Sequence, residues 1–314
     1  MLNKNELREL IAAARQHTTL TEVVIEKDYY VTRAISIISQ LQNPFFQLVF
    51  SGGTCLAKAH RIVKRMSEDI DFKLHLISDL NRSQQKKEIK AFREAIFTAL
   101  SNTEFKLGET KVKNEGRYIS IYLDYPSLFD KNNVLRPHLL LEFTFSSVRL
   151  PTVNLEVSTL IQDLLSNKAQ LDTCGLSCVS VIETLAEKWV GLTRRIAAIE
   201  RGYLGKDDYL IRHLHDIAAI NFNNPIGDDF YALAQDIVRQ DSEQFKTQHP
   251  EYFNSPSQEI NYSLDLLDKN SYWQSCYENF IEVMVFEKSS IPDYKHAMKI
   301  LRKITHSVII RSNC

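Results

Sequence analysis

The chain has 314 residues, 38 Lys and Arg against 39 Asp and Glu, and a formal net charge of −1. Its 44% hydrophobic and 25% charged content is that of a globule able to hide roughly three quarters of its unfolded surface, as one large domain or two modest ones. Near-neutral charge excludes a strong overall field for nucleic acid, and no apolar run reaches the span of a membrane helix.

The N-terminus, MLNKNELREL, is too charged for a secretory signal. The cysteines Cys55, Cys174, Cys178, Cys276 and Cys314 are odd in number and scattered, which argues against a disulfide framework. Cys174 and Cys178 have no second pair or His pattern to complete a zinc site. These features place the expected location in the cytoplasm, with no membrane partner.

In chain order, residues 4–16 and 21–42 read as two helices, the second capped by Thr21 or Thr19. Apolar Phe45 to Phe50 reads as a buried strand, and Thr54 to Arg65 as a helix opened by a hydroxyl cap. The segment from Asp69 to Leu74 alternates with period two, so Asp69 and Asp71 leave one face of one strand with Cα atoms about 7 Å apart. Residues 82–101 carry apolar positions at helical spacing. Strand-like segments follow at Phe105 to Lys113, Tyr118 to Tyr125 and His138 to Phe145, and a strand pair can continue through VNLEVSTL. From Val179 the pattern is helical nearly to the end, broken at Pro225, Pro250, Pro256 and Pro292. The expected division is an α+β domain over residues 1–150 and a mainly helical one over 151–314.

The chemistry concentrates between Phe50 and Leu74, FSGGTCLAKAHRIVKRMSEDIDFKL. A Gly-Gly turn opening a helix beside paired carboxylates suits a triphosphate with a divalent metal. Gly52, Gly53 and Thr54 would offer backbone N–H groups to phosphates, and Lys58, one turn on, is within reach of them or is a surface residue. Asp69 and Asp71 are the expected ligands of Mg2+ or Mn2+, which prefer hard oxygen donors. For a third carboxylate, Glu142 in its apolar strand is favoured over Asp124, whose neighbours Tyr125 and Pro126 suit a turn. Basic clusters at His60, Arg61, Lys64 and Arg65, at Arg194, Arg195 and Arg201, and from Ile291 to Cys314 (Lys295, Lys299, Arg302, Lys303, Arg311) can hold a polyanion or be solvated faces.

This arrangement resembles the nucleotidyltransferases of the DNA polymerase beta type, and most closely their AbiEii/AbiGii toxin branch, which includes the MenT toxins. The blocks IEKDYYVTRAI (Ile25 to Ile35), ETLAEKW (Glu183 to Trp189) and IRHLHDI (Ile211 to Ile217) also look like that branch, in the expected order. The resemblance implies a polymerase beta-type core, a mixed sheet flanked by helices, followed by a helical region. It implies that Lys188 contacts nucleotide phosphates and that Asp216 belongs to the active site. The bland alternatives are a Lys188 pair with Glu183 or Glu187, and a helical Arg212–Asp216 pair. It further implies transfer of a nucleoside monophosphate from an NTP to a tRNA 3′ end, and a separately encoded antitoxin. A protein or small-molecule acceptor, or an NTP-binding protein without transfer activity, stays open from the residues alone. Glu26, Lys27 and Asp28 read as charges that lock the N-terminal helix to the catalytic domain, and Arg65 and Ser67 as residues that orient the acids or touch phosphate.

Overall fold

A computed structural model describes residues 2–129, 135–165, 171, 173–223, 226–286 and 292–312. Pro225, Ile291 and Cys314 lie outside the described residues. Helix α1 (Lys4–Arg15) begins where the Asn3 side chain accepts the Asn5 and Glu6 N–H groups while Glu6 returns to the Asn3 N–H. This reciprocal cap satisfies donors that a helix start leaves orphaned. Helix α2 (Glu22–Ser39) follows, and both lie close to the spans read from the sequence.

Among the described residues, seven strands form one mixed sheet: β1 (Phe46–Ser51), β2 (Asp69–Leu76), β3 (Lys106–Lys113), β4 (Tyr118–Asp124), β5 (Leu139–Phe145), β6 (Val153–Val157) and β7 (Cys174–Cys178). Their spatial order is β3-β4-β5-β2-β1-β7-β6. The central pairings are β1 with β2, antiparallel, and β2 with β5, parallel. Helix α3 (Gly52–Lys58) follows β1, and helix α4 (Arg82–Ser101) packs Phe92 edge-on to Phe46 and Phe143. Alternation along the strands sends Phe50, Phe72 and Phe143 to one face, where ring centroids lie 5.4 and 5.6 Å apart in consecutive pairs. All three are within 1% of complete burial, and together they centre the core.

The chain divides into two compact units, residues 1–61 with 65–180 and residues 62–64 with 181–314. The division after residue 180 falls later than the sequence suggested near 150, because β6 and β7 belong to the sheet. Strand β7, CGLSC, gave no strand signal: it has a glycine and few bulky residues, and it joins the sheet by pairing with β6 and by a parallel bridge from Cys178 to Phe50. The second unit is helical: α6 (Val181–Glu200), α7 (Arg212–Asn223), α8 (Asp228–Gln244), α9 (Pro250–Asn254), α10 (Pro256–Lys269), α11 (Ser271–Met284) and α12 (Tyr294–Ser312); a short α5 (Leu160–Leu165) belongs to the first unit. Pro250 and Pro256 start their helices at the position where a missing N–H costs nothing. Trp189 on α6, fully buried, donates its indole N–H to Thr305 on α12 at 2.9 Å.

Helix α3 differs from the sequence expectation. It spans Gly52–Lys58 rather than Thr54 to Arg65, and Ser51 holds the cap position. The Thr54 hydroxyl caps nothing and instead donates to the Asp69 carbonyl. Beyond Lys58, the His60 ring bonds the Val179 carbonyl and Arg61 turns to φ 57 with its guanidinium on Ser158, which ends the helix. A hydroxyl before an apolar run cannot by itself say whether it serves its own helix or a neighbouring strand.

Phe72→Ala removes the middle ring of the buried triplet. It should lower unfolding free energy by about 3–5 kcal/mol in urea titration, whereas exposed Ile77→Ala should change it by less than about 0.5 kcal/mol.

Candidate active site

The residue after each core phenylalanine on β1, and before it on β2 and β5, faces the other side of the sheet. Ser51 lies opposite Asp71, and Asp71 opposite Glu142, so three strands place one polar row beside the aromatic one. Asp69 is one pleat along β2 on the same face, opposite Leu140. Neighbouring strands run about 4.8 Å apart, so two carboxylates stand at that spacing in the centre of the sheet. Asp124 is four residues from Ser120, the β4 partner of Glu142, and so about 13 Å along the strand from this row.

Each glycine of the turn has a separate reason. Gly52 sits at φ +74, and a Cβ there would fall 2.0 Å from Asp71 Oδ2. A Cβ on Gly53 would fall 2.5 Å from Arg65 Nη2 and 3.1 Å from Ser67 Oγ. The turn is therefore pressed between an acid and a buried guanidinium, and Arg65 fixes itself by donating to the Met66 carbonyl at 2.9 Å.

Cations and hydroxyls hold the acids. Arg136 Nη1 meets Asp69 Oδ1 at 2.6 Å, and the Tyr118 hydroxyl donates to Glu142. Burial and the Glu142 charge push the Tyr118 phenol up, so it remains a donor. Neither Arg136 nor Tyr118 stood out in the sequence, because their partners lie 67 and 24 residues away. Behind this layer, Lys27 pairs with Glu68 and donates to the Arg136 carbonyl at 2.6 Å, while the Arg136 N–H donates to Glu68 at 2.8 Å. Burial pushes the Lys27 ammonium down from its usual range and Glu68 opposes that shift. Glu26 accepts from Ser127 at 2.6 Å, and Asp28 accepts from Lys58 at 2.5 Å and from the Leu160 N–H at 2.6 Å. The IEKDYY block thus ties α2 to the loops around the acids, and the Lys58 ammonium is engaged by Asp28.

The donor set suits a small hard cation: carboxylate oxygens only, facing a glycine whose bare backbone leaves Asp71 its room. Among the described residues, no three His, Cys, Asp or Glu side chains already converge as a metal cage. Arg136 and Tyr118 hold Asp69 and Glu142 in the arrangement described.

In the second unit, Lys188 on α6 and Asp216 on α7 meet at 2.8 Å, both buried. The two residues singled out separately in the sequence thus pair with each other. His215 Nδ1 lies 3.2 Å from the other Asp216 oxygen, and His213 packs its ring edge on Gly191, with Nδ1 3.4 Å from the Lys188 carbonyl. Desolvation, then the Lys188 ammonium, push His213 well below the ordinary imidazole range. In the C-terminal basic cluster, Arg302 pairs with Asp268 and Arg311 with Asp228.

A protein-family model described as "Nucleotidyl transferase AbiEii toxin, Type IV TA system" matches residues 38–299. The chain belongs to that family. Among solved structures, it is similar to the MenT4 nucleotidyltransferase toxin of Mycobacterium tuberculosis, at 17% identity and TM-score 0.40 over 70% of this chain and 76% of that one. It is also similar to a putative nucleotidyltransferase from H. pylori, at 14% identity and TM-score 0.43 over 93% and 98%. No curated protein matches the chain. No helix among the described residues is long and apolar enough to cross a membrane.

Two outcomes are expected. Gly52→Ala forces a side chain into the left-handed region, at about 1–2 kcal/mol, and drives Asp71 from its place. Thermal unfolding should show that loss, and divalent metal binding measured by calorimetry should weaken at least tenfold. The depressed His213 imidazole should make stability fall as pH drops. Its folded value lies below the unfolded one near 6.5, so its contribution is complete above about pH 6.5 and is lost progressively below it. In His213→Gln, urea midpoints should fall less steeply between pH 6.5 and 5 than in the parent.

Proposed function

We propose that the protein is a nucleotidyltransferase toxin dependent on Mg2+ or Mn2+, which moves a nucleoside monophosphate from an NTP to an acceptor hydroxyl. The observation that carries this is the facing pair of Asp71 and Glu142 beside Gly52, whose backbone approaches the Asp71 carboxylate more closely than a side chain allows. Like charges on neighbouring strands repel, and a cation held between them offsets that repulsion; buried Lys73 lies one pleat further along β2 on the same face. Family membership supplies the reaction class.

In this reading Asp69, Asp71 and Glu142 would hold the metal, which would neutralise charge on the phosphates. Gly52, Gly53 and Thr54 present backbone N–H groups to the triphosphate, with the buried Arg65 charge close behind Gly53. The acceptor oxygen bonds to the α-phosphorus while the bond from that phosphorus to its bridging oxygen breaks. Pyrophosphate leaves, and the hydroxyl proton passes to a carboxylate. Lys188 is proposed as the phosphate contact, with Asp216, its ion-pair partner, as its counter-ion. Lys58 is proposed as a further contact, its ammonium paired with Asp28 as that of Lys188 is with Asp216.

The acceptor is the 3′ end of a tRNA, whose blockage would stop aminoacylation and translation. The partner is a cognate antitoxin, and the compartment is the cytoplasm. The near-neutral chain charge makes recognition of the acceptor local rather than global.

Purified protein incubated with each α-labelled NTP and total tRNA should label RNA in the presence of Mg2+. Asp71→Asn and Asp69→Asn should lower transfer at least a thousandfold with unchanged circular dichroism, and should relieve growth arrest on expression. Variants that stay toxic and active would sink the assignment.

A further inference from the structure

The polar row does not stop at Glu142. Ser120 on β4 lies opposite Glu142, and Lys111 on β3 lies opposite Ser120. One pleat along, Tyr118 lies between Thr144 and Lys113, and on the other side Tyr122 lies opposite Leu140. From β2 to the sheet edge, one row therefore runs Asp71, Glu142, Ser120, Lys111 and the next runs Lys73, Thr144, Tyr118, Lys113. The opposite faces of β4 and β5 carry Ile119, Ile121, Leu123, Leu139, Leu141 and Phe143 in the core, so this strip is the outward side of the same strands.

The two tyrosine rings are held at their rims. Tyr118 is anchored through its hydroxyl on Glu142, and the Tyr122 ring meets His138 edge-on at 4.4 Å and 89°. A lysine stands over each ring: Lys111 Nζ 5.5 Å from the Tyr122 centroid, Lys113 Nζ 5.9 Å from that of Tyr118. Both lysines are exposed, and Lys111 also reaches Glu109 at 3.4 Å. An exposed cation–π contact is weaker than a stacked base, so a base can displace the ammonium toward the phosphate that follows it. Rings that are fixed and cations that can move, alternating along neighbouring strands, suit a flexible polynucleotide rather than a rigid duplex.

We propose that this strip of β3 and β4 seats the single-stranded 3′ segment of an RNA acceptor. Bases stack at Tyr118 and Tyr122, phosphates pair with Lys111 and Lys113, and the terminal hydroxyl arrives at Asp71 and Glu142. The proposal rests on the nucleotidyltransferase reading of the acids and adds the route by which the acceptor reaches them. It also gives Tyr118 a second role, as the joint between the stacking surface and the carboxylate row.

The test is binding of a fluorescein-labelled short single-stranded RNA, with a free 3′ hydroxyl, to the full chain by anisotropy over a salt series. Lys111→Ala with Lys113→Ala should weaken binding and reduce the slope of log affinity against log salt by about 1.4, at about 0.7 per phosphate. Tyr122→Ala should weaken binding roughly tenfold, while Tyr122→Phe, which keeps a stacking ring, should bind as the parent does. The lysines are solvent-exposed, so their loss leaves the fold intact. Unchanged affinity in the lysine and Tyr122→Ala variants, or equal binding of a blunt duplex, would overturn the strip. Because binding is read without turnover, the two ideas separate. Parent protein that binds this RNA through these residues but transfers no nucleotide sinks the assignment of the acids alone. Parent protein that labels a protein or small molecule and ignores RNA sinks the strip and the tRNA acceptor, and leaves the assignment of the acids standing.

Discussion

The parallel pairing of β2 with β5 sets Asp71 against Glu142 and Phe72 against Phe143 in a single register. Strand side chains alternate, so the same pairing that buries the stacked rings of Phe72 and Phe143 on one face must place a carboxylate pair on the other. A slip of one residue would bury the acids and expose the rings. At about 5 Å and an effective dielectric near 20, the two charges repel by roughly 3 kcal/mol. That is about what one charged hydrogen bond, such as the Tyr118 contact, returns. The apolar core therefore holds the acids at a spacing that they would not choose.

Around this row the protein has built support at two depths. Arg136 and Tyr118 touch the acids, and Lys27 with Glu68 fixes the backbone of Arg136. Buried ion pairs of this kind contribute little net stability, since desolvation offsets most of their attraction. Their value is positional: each holds one orientation of a long side chain near the site. The Lys188–Asp216 pair in the second unit follows the same logic, with a lysine among buried apolar neighbours matched by a fully buried acid.

Much of the architecture was legible in the chain because its signals are local. The period-two run from Asp69 announced β2, the apolar spacing of residues 82–101 gave α4 its true bounds, and the family blocks named the class. What escaped was non-local. Strand β7 has almost no strand propensity of its own and exists through its partners, so the first unit extends past residue 150. Thr54 looked like a helix cap because its neighbours were helical, yet its hydroxyl serves the strand 15 residues on. Arg136 precedes Pro137 and lies outside any strand or helix, and only its pairing across 67 residues marks it. No sequence period encodes such a contact.

The chain leaves the first unit at Arg61, contributes Ile62, Val63 and Lys64 to the second, and returns at Arg65. In that detour the Lys64 carbonyl accepts the N–H of Phe286, and Val63 is buried. The helical unit is therefore discontinuous in sequence: a gene fragment starting after Ser180 would lack part of its own fabric. Such a module cannot be swapped between relatives as a single cassette. Recombination that exchanges it intact needs breakpoints on either side of residues 62–64 as well as one after residue 180.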